Sequence, residues 1–184
     1  MILTAFRRGL HNRNIHALYG MIVAQARSRS FYADYGVPDT VEGRFELIVL
    51  HLVLLLNRLA GTGETGGRRN KLGQLLFDVF CRDLDDNLRE MGVGDMAVPR
   101  KMRQFGEAFY GRQTAYSLAM NADGERELEK ALARNIFEAS DAGDGSVRLA
   151  RYVRAAASQL GAEADDALAA GQVIFPNPEA FAHG

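Results

Sequence analysis

The chain has 184 residues, 47% of them hydrophobic and 24% charged, which is enough for one domain with a buried core. Its net charge of -1 and pI near 6.4 give no overall attraction to nucleic acid or to an anionic membrane. A single cysteine, Cys81, excludes an internal disulfide and a cysteine-cluster metal site, and it favours a reducing compartment.

From Met1 to Ala33 there is no acidic residue but there are arginines at 7, 8, 13, 27 and 29. An organelle transit peptide has this bias, yet Ile15, Leu18, Tyr19, Ile22 and Ala26 recur at helical spacing, as in a permanent core-facing helix. Residues 1–13 are read as a basic leader, and Asn14 as the N-cap of a first long helix ending near Ser28. An aromatic-rich connection, Phe31 to Gly36, leads to Pro38. Asp39 and Glu42 have capping-box spacing, so a second helix should start near Thr40 and run to about Leu59. It contains LIVLHLVLLL (47–56), too short against the roughly 20 residues of a membrane span and better suited to a buried helix.

Gly61 to Gly67, GTGETGG, is expected to be a surface loop. It is not the phosphate-binding G-x-x-x-x-G-K-[ST], and it follows a helix and not a strand. A central helix is predicted from about Leu72 to Met91. Along it Phe77, Phe80, Leu84, Leu88 and Met91 form a core-facing stripe, while Asp83, Asp86, Asn87 and Glu90 share a second, acidic face. A third face pairs Asp78 with Arg82 and Asp85 with Arg89 at i, i+4, and Gly92 supplies the terminating residue. Pro99 opens the next helix, to about Ala119, whose stripe of Met102, Phe105, Phe109, Arg112 and Tyr116 places an arginine on the core side. Arg44, His51 and Arg58 likewise interrupt the aliphatic second helix. Such arginines either reach the rim along their stems or pair with buried acids, and the nearest supply of acids is the central helix.

Asp123 is a candidate cap for a helix from about Gly124 to Ala139, and DAGDG (141–145) reads as a turn. Ser146 is expected to cap a helix to about Leu160, followed by a short one within 162–170, with 172–184 as an extended tail. The pattern is all-α: a single compact domain of six or seven helices spanning 1–184.

No Glu-x-x-His, no histidine pair at i, i+4 and no G-x-S-x-G elbow occurs, so neither a metal site nor nucleophilic catalysis is indicated. His51 is expected to be a hydrogen-bonded core residue; the alternative is a haem or anion pocket formed by Arg44, His51 and Arg112. The carboxylate face has three readings, a solvated surface, internal ion pairs with Arg44 and Arg112, or a partner-binding surface. A further alternative is a peripheral scaffold whose basic N-terminal segment contacts anionic lipid.

The strings Tyr35-Gly-Val-Pro-Asp-Thr-Val-Glu-Gly-Arg-Phe-Glu46, Leu50-His51-Leu52, Phe77-Asp78, Arg82-Asp-Leu-Asp-Asp-Asn-Leu-Arg-Glu-Met-Gly-Val-Gly-Asp95 and Phe109-Tyr-Gly-Arg112 occur in order. Together they closely resemble the ubiquinol-cytochrome c chaperone family over roughly Leu18 to Asn135. The resemblance implies a non-enzymatic assembly factor, without a cofactor, that binds cytochrome b or another subunit of the respiratory cytochrome bc complex. The mitochondrial members also use a partner subunit and meet the ribosome; this chain resembles the bacterial branch, to which those contacts are not extended. That branch implies a bacterial cytoplasmic protein peripheral to the inner membrane, the alternative being the matrix side of the mitochondrial membrane. Client cytoplasmic loops are rich in Lys and Arg, so Asp83, Asp86, Asn87, Glu90 and Asp95 are the expected partner-binding residues. Arg44, Arg89 and Arg112 are expected to be structural or binding arginines.

Overall fold

The structure, a computed structural model, describes residues 2–61, 63–122, 124, 126–141 and 143–182, the side chains of 2–11 and 63–65 excepted. Among these residues there is no strand. Six longer helices, α1 (Ile2–Ala26), α3 (Val41–Leu59), α4 (Gly63–Glu90), α5 (Val98–Asn121), α6 (Arg126–Ile136) and α7 (Asp144–Ala162), carry the domain. Two single-turn helices, α2 (Arg29–Ala33) and α8 (Asp165–Ala169), and a 3-10 turn at Pro178–Phe181 complete it. The all-helical expectation holds.

The aliphatic run makes α3 the axis. Leu47, Val49, Leu50, Leu52, Val53 and Leu55 are buried on all sides because α1, α4, α5 and α7 surround it. The predicted stripes of the surrounding helices close on it: Ile15, Leu18, Ile22 and Ala26 from α1, Leu149, Tyr152, Val153, Ala156 and Leu160 from α7, and Leu128, Leu132 and Ile136 from α6 are all buried. Continuous with this core, an aromatic cluster, Phe45, Phe77, Phe80, Phe105, Phe109 and Tyr110, joins α3, α4 and α5, with neighbouring rings 4.8 to 6.1 Å apart.

Several boundaries differ from the sequence expectation, each for a tertiary reason. Helix α1 runs unbroken through Asn14, whose Nδ2 donates to the Ala169 carbonyl of α8 (2.9 Å) in place of capping a helix. Helix α3 is capped by Thr40, with Gly43 N donating to its Oγ1 (3.1 Å), which leaves Asp39 free for an ion pair. The glycine-rich segment is largely helical, since α4 already begins at Gly63. Its glycines let backbones approach: a Cβ on Gly66 would stand 2.6 Å from the Gly61 backbone, and Gly73 sits against Leu56 and Leu59 of α3. Asn70 closes the arrangement by bonding both the N–H (3.2 Å) and the carbonyl (3.0 Å) of Gly61.

Helix α7 starts three residues early, at Asp144 with Gly143 in the cap position, within the expected turn. Ser146 lies in its first turn, where Oγ accepts from Gly143 N (3.0 Å) and donates to Gly143 O (2.9 Å). The candidate cap Asp123 lies outside the described residues. The tail is extended to Asn177 before its 3-10 turn, and it lies across the domain: Gln159 donates to Ile174 O, Gln25 to Pro176 O and Tyr35 to Pro178 O at 3.0, 3.0 and 2.6 Å.

Candidate functional site

The second half of α4 carries the acidic face, and its inner side explains its placement. Phe80 and Leu88 are buried, with Phe77 and Leu84 packed at the margin of the core. The stripe ends one turn sooner than its spacing suggests: Met91 is 69% exposed. Gly92 at φ +79° ends the helix, and two reversed hydrogen bonds close the end, Gly92 N to Arg89 O and Val93 N to Leu88 O, each 3.0 Å. Met91 is therefore the capping residue, past the last helical turn, and it turns to solvent.

The carboxylates divide. Asp83 accepts a 2.7 Å hydrogen bond from the Tyr19 hydroxyl, tying α4 to α1; burial pushes the Tyr19 phenol well above its usual range, and the bond to the Asp83 carboxylate adds to the shift. Asn87 turns back to the Asp83 carbonyl (2.6 Å) and is spent locally. Asp95 is held by Arg89, which also grips Asp85 (2.6 Å), so one guanidinium ties the end of α4 to the turn that follows. Asp86 and Glu90 are exposed and make no ion pair or hydrogen bond among the described residues. Asp78, expected to pair with Arg82, instead accepts from Gln74 (2.8 Å), and Arg82 donates to the Asp78 backbone carbonyl (3.2 Å).

The arginines expected to reach the central helix do not. Arg112 forms a two-pronged pair with Glu46 on α3, Nε to Oε2 and Nη2 to Oε1, each at 2.5 Å. Both are largely enclosed. Desolvation by burial raises the Glu46 carboxyl above its usual value, while Arg112 pulls against it; for Arg112 desolvation works downward but the Glu46 bonds prevail and raise it. Arg44 is exposed and pairs with Asp39 (2.6 Å), its guanidinium 5.9 Å from the centre of the Tyr32 ring. Arg58 secures the end of α7, donating to Leu160 O (2.8 Å) and Glu163 O (2.5 Å) and pairing with Asp165 (2.8 Å).

His51 is completely buried. Its Nδ1 donates to the Leu47 carbonyl (2.7 Å), which leaves Nε2 to accept from the Tyr152 hydroxyl (2.8 Å), and Gln25 donates to that hydroxyl in turn (3.0 Å). Phe31 and Phe175 close edge-on over the imidazole. Burial drives the imidazole down to about 4, partly offset by the Leu47 bond, so the ring is neutral. Arg44, His51 and Arg112 thus have separate partners, and the structure does not bring them into one haem or anion pocket. Among the described residues no group of three His, Cys, Asp or Glu is placed to hold a metal ion, and no helix is long and apolar enough to cross a membrane.

Sequence reasoning passed over one feature along the first half of α4. Leu56, Leu59, Gly73, Phe77, Phe109 and Tyr110 line a groove of about 190 Å³ between α3, α4 and α5, rimmed by the amides of Asn70, Gln74 and Gln113. The signal was the absent side chain at Gly73 together with an outward Tyr110, adjacent to the stripe but not on it.

Known proteins resemble the whole arrangement. The chain is 37% identical to the Cbp3 homolog from Brucella abortus, whose crystal structure superposes with a TM-score of 0.85 over 97% of this chain and 98% of that one. It is 28% identical over 148 residues to ubiquinol-cytochrome c reductase complex assembly factor 1 of Drosophila melanogaster, covering 79% of this chain and 57% of that protein's length. The corresponding assembly factor 1 of Xenopus laevis is 24% identical over 160 residues, 86% of this chain and 78% of that protein. The family model described as ubiquinol-cytochrome C chaperone matches residues 33–175, from the end of α2 through Phe175 above His51. With most of the chain matched, this protein belongs to the ubiquinol-cytochrome c chaperone family.

Proposed function

We propose that this protein is a non-catalytic assembly factor for the ubiquinol-cytochrome c reductase complex and that its client is cytochrome b. Family membership carries the reading. The charge distribution on α4 supports the client: Asp86 and Glu90 are exposed carboxylates with no partner among the described residues, on a helix whose neighbouring acids are already engaged. Cytoplasmic loops of membrane proteins carry an excess of Lys and Arg, and two uncompensated carboxylates on a rigid helix suit them. The protein then works at the membrane face where those loops emerge. Exposed Arg13 and His16 on α1, with Arg27 in the turn that follows it, are suitable for peripheral contact with anionic headgroups.

The test is affinity purification of the tagged chain from cells building this complex, with the co-purifying subunits identified. Cytochrome b should be enriched, and deleting the chaperone should deplete the assembled complex. Normal complex assembly in the deletion strain removes the assembly role. Enrichment of a different subunit keeps that role and changes the client.

A further inference from the structure

The corner between α4 and α5 exposes two methionines, Met91 at 69% and Met96 at 95%. Neither contributes to the core, and neither sits on a loosely held loop. The helix-ending bonds at Gly92 and Val93, the turn bonds from Ala97 N (2.8 Å) and Val98 N (3.3 Å) to Gly94 O, and the Arg89 clamp on Asp85 and Asp95 fix the corner. Leu88 and Val98, both buried, anchor it on either side. Two large apolar side chains are therefore held in water by a rigid frame, which is the arrangement of a contact surface.

Charge selects what the surface takes. Residues 83–96 contain five carboxylates (Asp83, Asp85, Asp86, Glu90, Asp95) and one arginine, Arg89, a local net charge of -4. Arg89 is occupied by two of the five, and Asp86 and Glu90, in the last two turns of α4 before Met91, make no ion pair or hydrogen bond among the described residues. On the far side α5 begins with exposed Arg100, Lys101 and Arg103, so the attraction has a direction, with a positive group drawn toward α4 and away from α5. Methionine is unbranched and adaptable, which suits apolar surfaces of varied shape.

We propose that this corner docks the basic end of an apolar helix, with Met91 and Met96 covering its last apolar turn and Asp86 and Glu90 meeting its Lys or Arg residues. Such an end is what a transmembrane helix presents at the cytoplasmic face. The inference rests on the client reading above and specifies which part of the client is held.

The probe is a soluble Leu/Ala helical peptide ending in lysines, compared with a twin ending in glutamates, titrated against the full chain by fluorescence anisotropy. The lysine-ended peptide should bind at least about tenfold more tightly. Met91→Ser with Met96→Ser should weaken it by about tenfold or more with the circular dichroism unchanged, because each methionine removes substantial apolar area from water on docking. Asp86→Lys with Glu90→Lys should reverse the preference between the twins. The proposal is overturned if the wild-type chain ignores the lysine-ended peptide or if the methionine changes leave binding intact. It is also overturned if light scattering shows that those changes abolish a dimer, since the corner would then bind a second copy. Co-purification separates the two readings. Wild-type recovery of cytochrome b by the methionine variant sinks the corner and leaves the client standing, whereas retained peptide selectivity without cytochrome b sinks the client and leaves the corner.

Discussion

Helices α3 and α4 both interrupt an apolar pattern with polar and charged groups, and they treat those groups in opposite ways. On α3, Glu46 meets Arg112, His51 meets Leu47 and Tyr152, and Arg58 meets the end of α7. Each of these three is answered from within the chain. Along α4 the answer stops partway: Asp83 has Tyr19, Asp85 has Arg89, and Asp86 and Glu90 have no partner among the described residues. A buried charge must find its partner inside or destabilise the fold, whereas an exposed one is free to wait for a partner outside. On α4 it is a partner within the chain and not burial that separates the structural acids from the available ones, since Asp83 is exposed like Asp86 and yet holds Tyr19.

The sharpest break of that contrast is on α3. Arg112→Met should destabilise the domain by roughly 3 kcal/mol, since it strands the Glu46 carboxylate in a partly dry site with nothing to pair. Chemical denaturation would read the loss, and an unchanged midpoint would mean that water reaches Glu46 freely. The pair Arg112→Met with Glu46→Leu should recover most of it.

A similar loss is expected from pH alone. The His51 imidazole has its folded pKa pushed down to about 4 by burial, below its ordinary value of 6.5. Between those values the unfolded chain binds a proton that the folded one refuses. The contribution is therefore complete above about pH 6.5 and falls as the pH drops toward 4, by roughly 3 kcal/mol in all. Denaturation midpoints measured at intervals from pH 7 to 4 should decline, and His51→Gln should flatten the decline. A variant that declines as steeply as wild type would place the acid sensitivity elsewhere.

Much of this was legible in the chain. The α3 run is aliphatic around its whole circumference, which only a central helix tolerates, and the stripes of α1, α6 and α7 are all buried where their spacing puts them. Gly92 was readable as a terminator because a left-handed position favours glycine. Pairing between helices was not readable. Arg112 belongs on the core side as its spacing says, but which acid it meets depends on how α5 lies on α3, and Glu46 holds the position that the acids of α4 were expected to fill. Helical periodicity also overran its helix at Met91, where the stripe continues in sequence after the helix has ended. Propensity misjudged the start of α4 in the other direction, because Gly66 serves a close approach to the Gly61 backbone and not a loop.

Within α4 the contrast narrows to single residues. Tyr19→Phe should cost about 1 kcal/mol, the value of one hydrogen bond to a partly exposed carboxylate, and should loosen α1 from α4 without unfolding either. Hydrogen exchange localised to α1 would show it. No change in either stability or exchange would mean that Asp83 is as available as Asp86.

The smallest effect on stability is expected where the effect on binding is largest. Asp86→Asn with Glu90→Gln removes two charges that pair with none of the described residues, so the denaturation midpoint should stay at the wild-type value while recovery of cytochrome b falls. A variant that also changes Asp83 mixes the two roles, because the same substitution then releases Tyr19. Kept apart, Asp83→Asn should lower stability with little change in client recovery, and the Asp86 and Glu90 pair should do the reverse. If both variants lower recovery equally, the division between bracing and binding on α4 fails, and Asp83 serves both from one side chain.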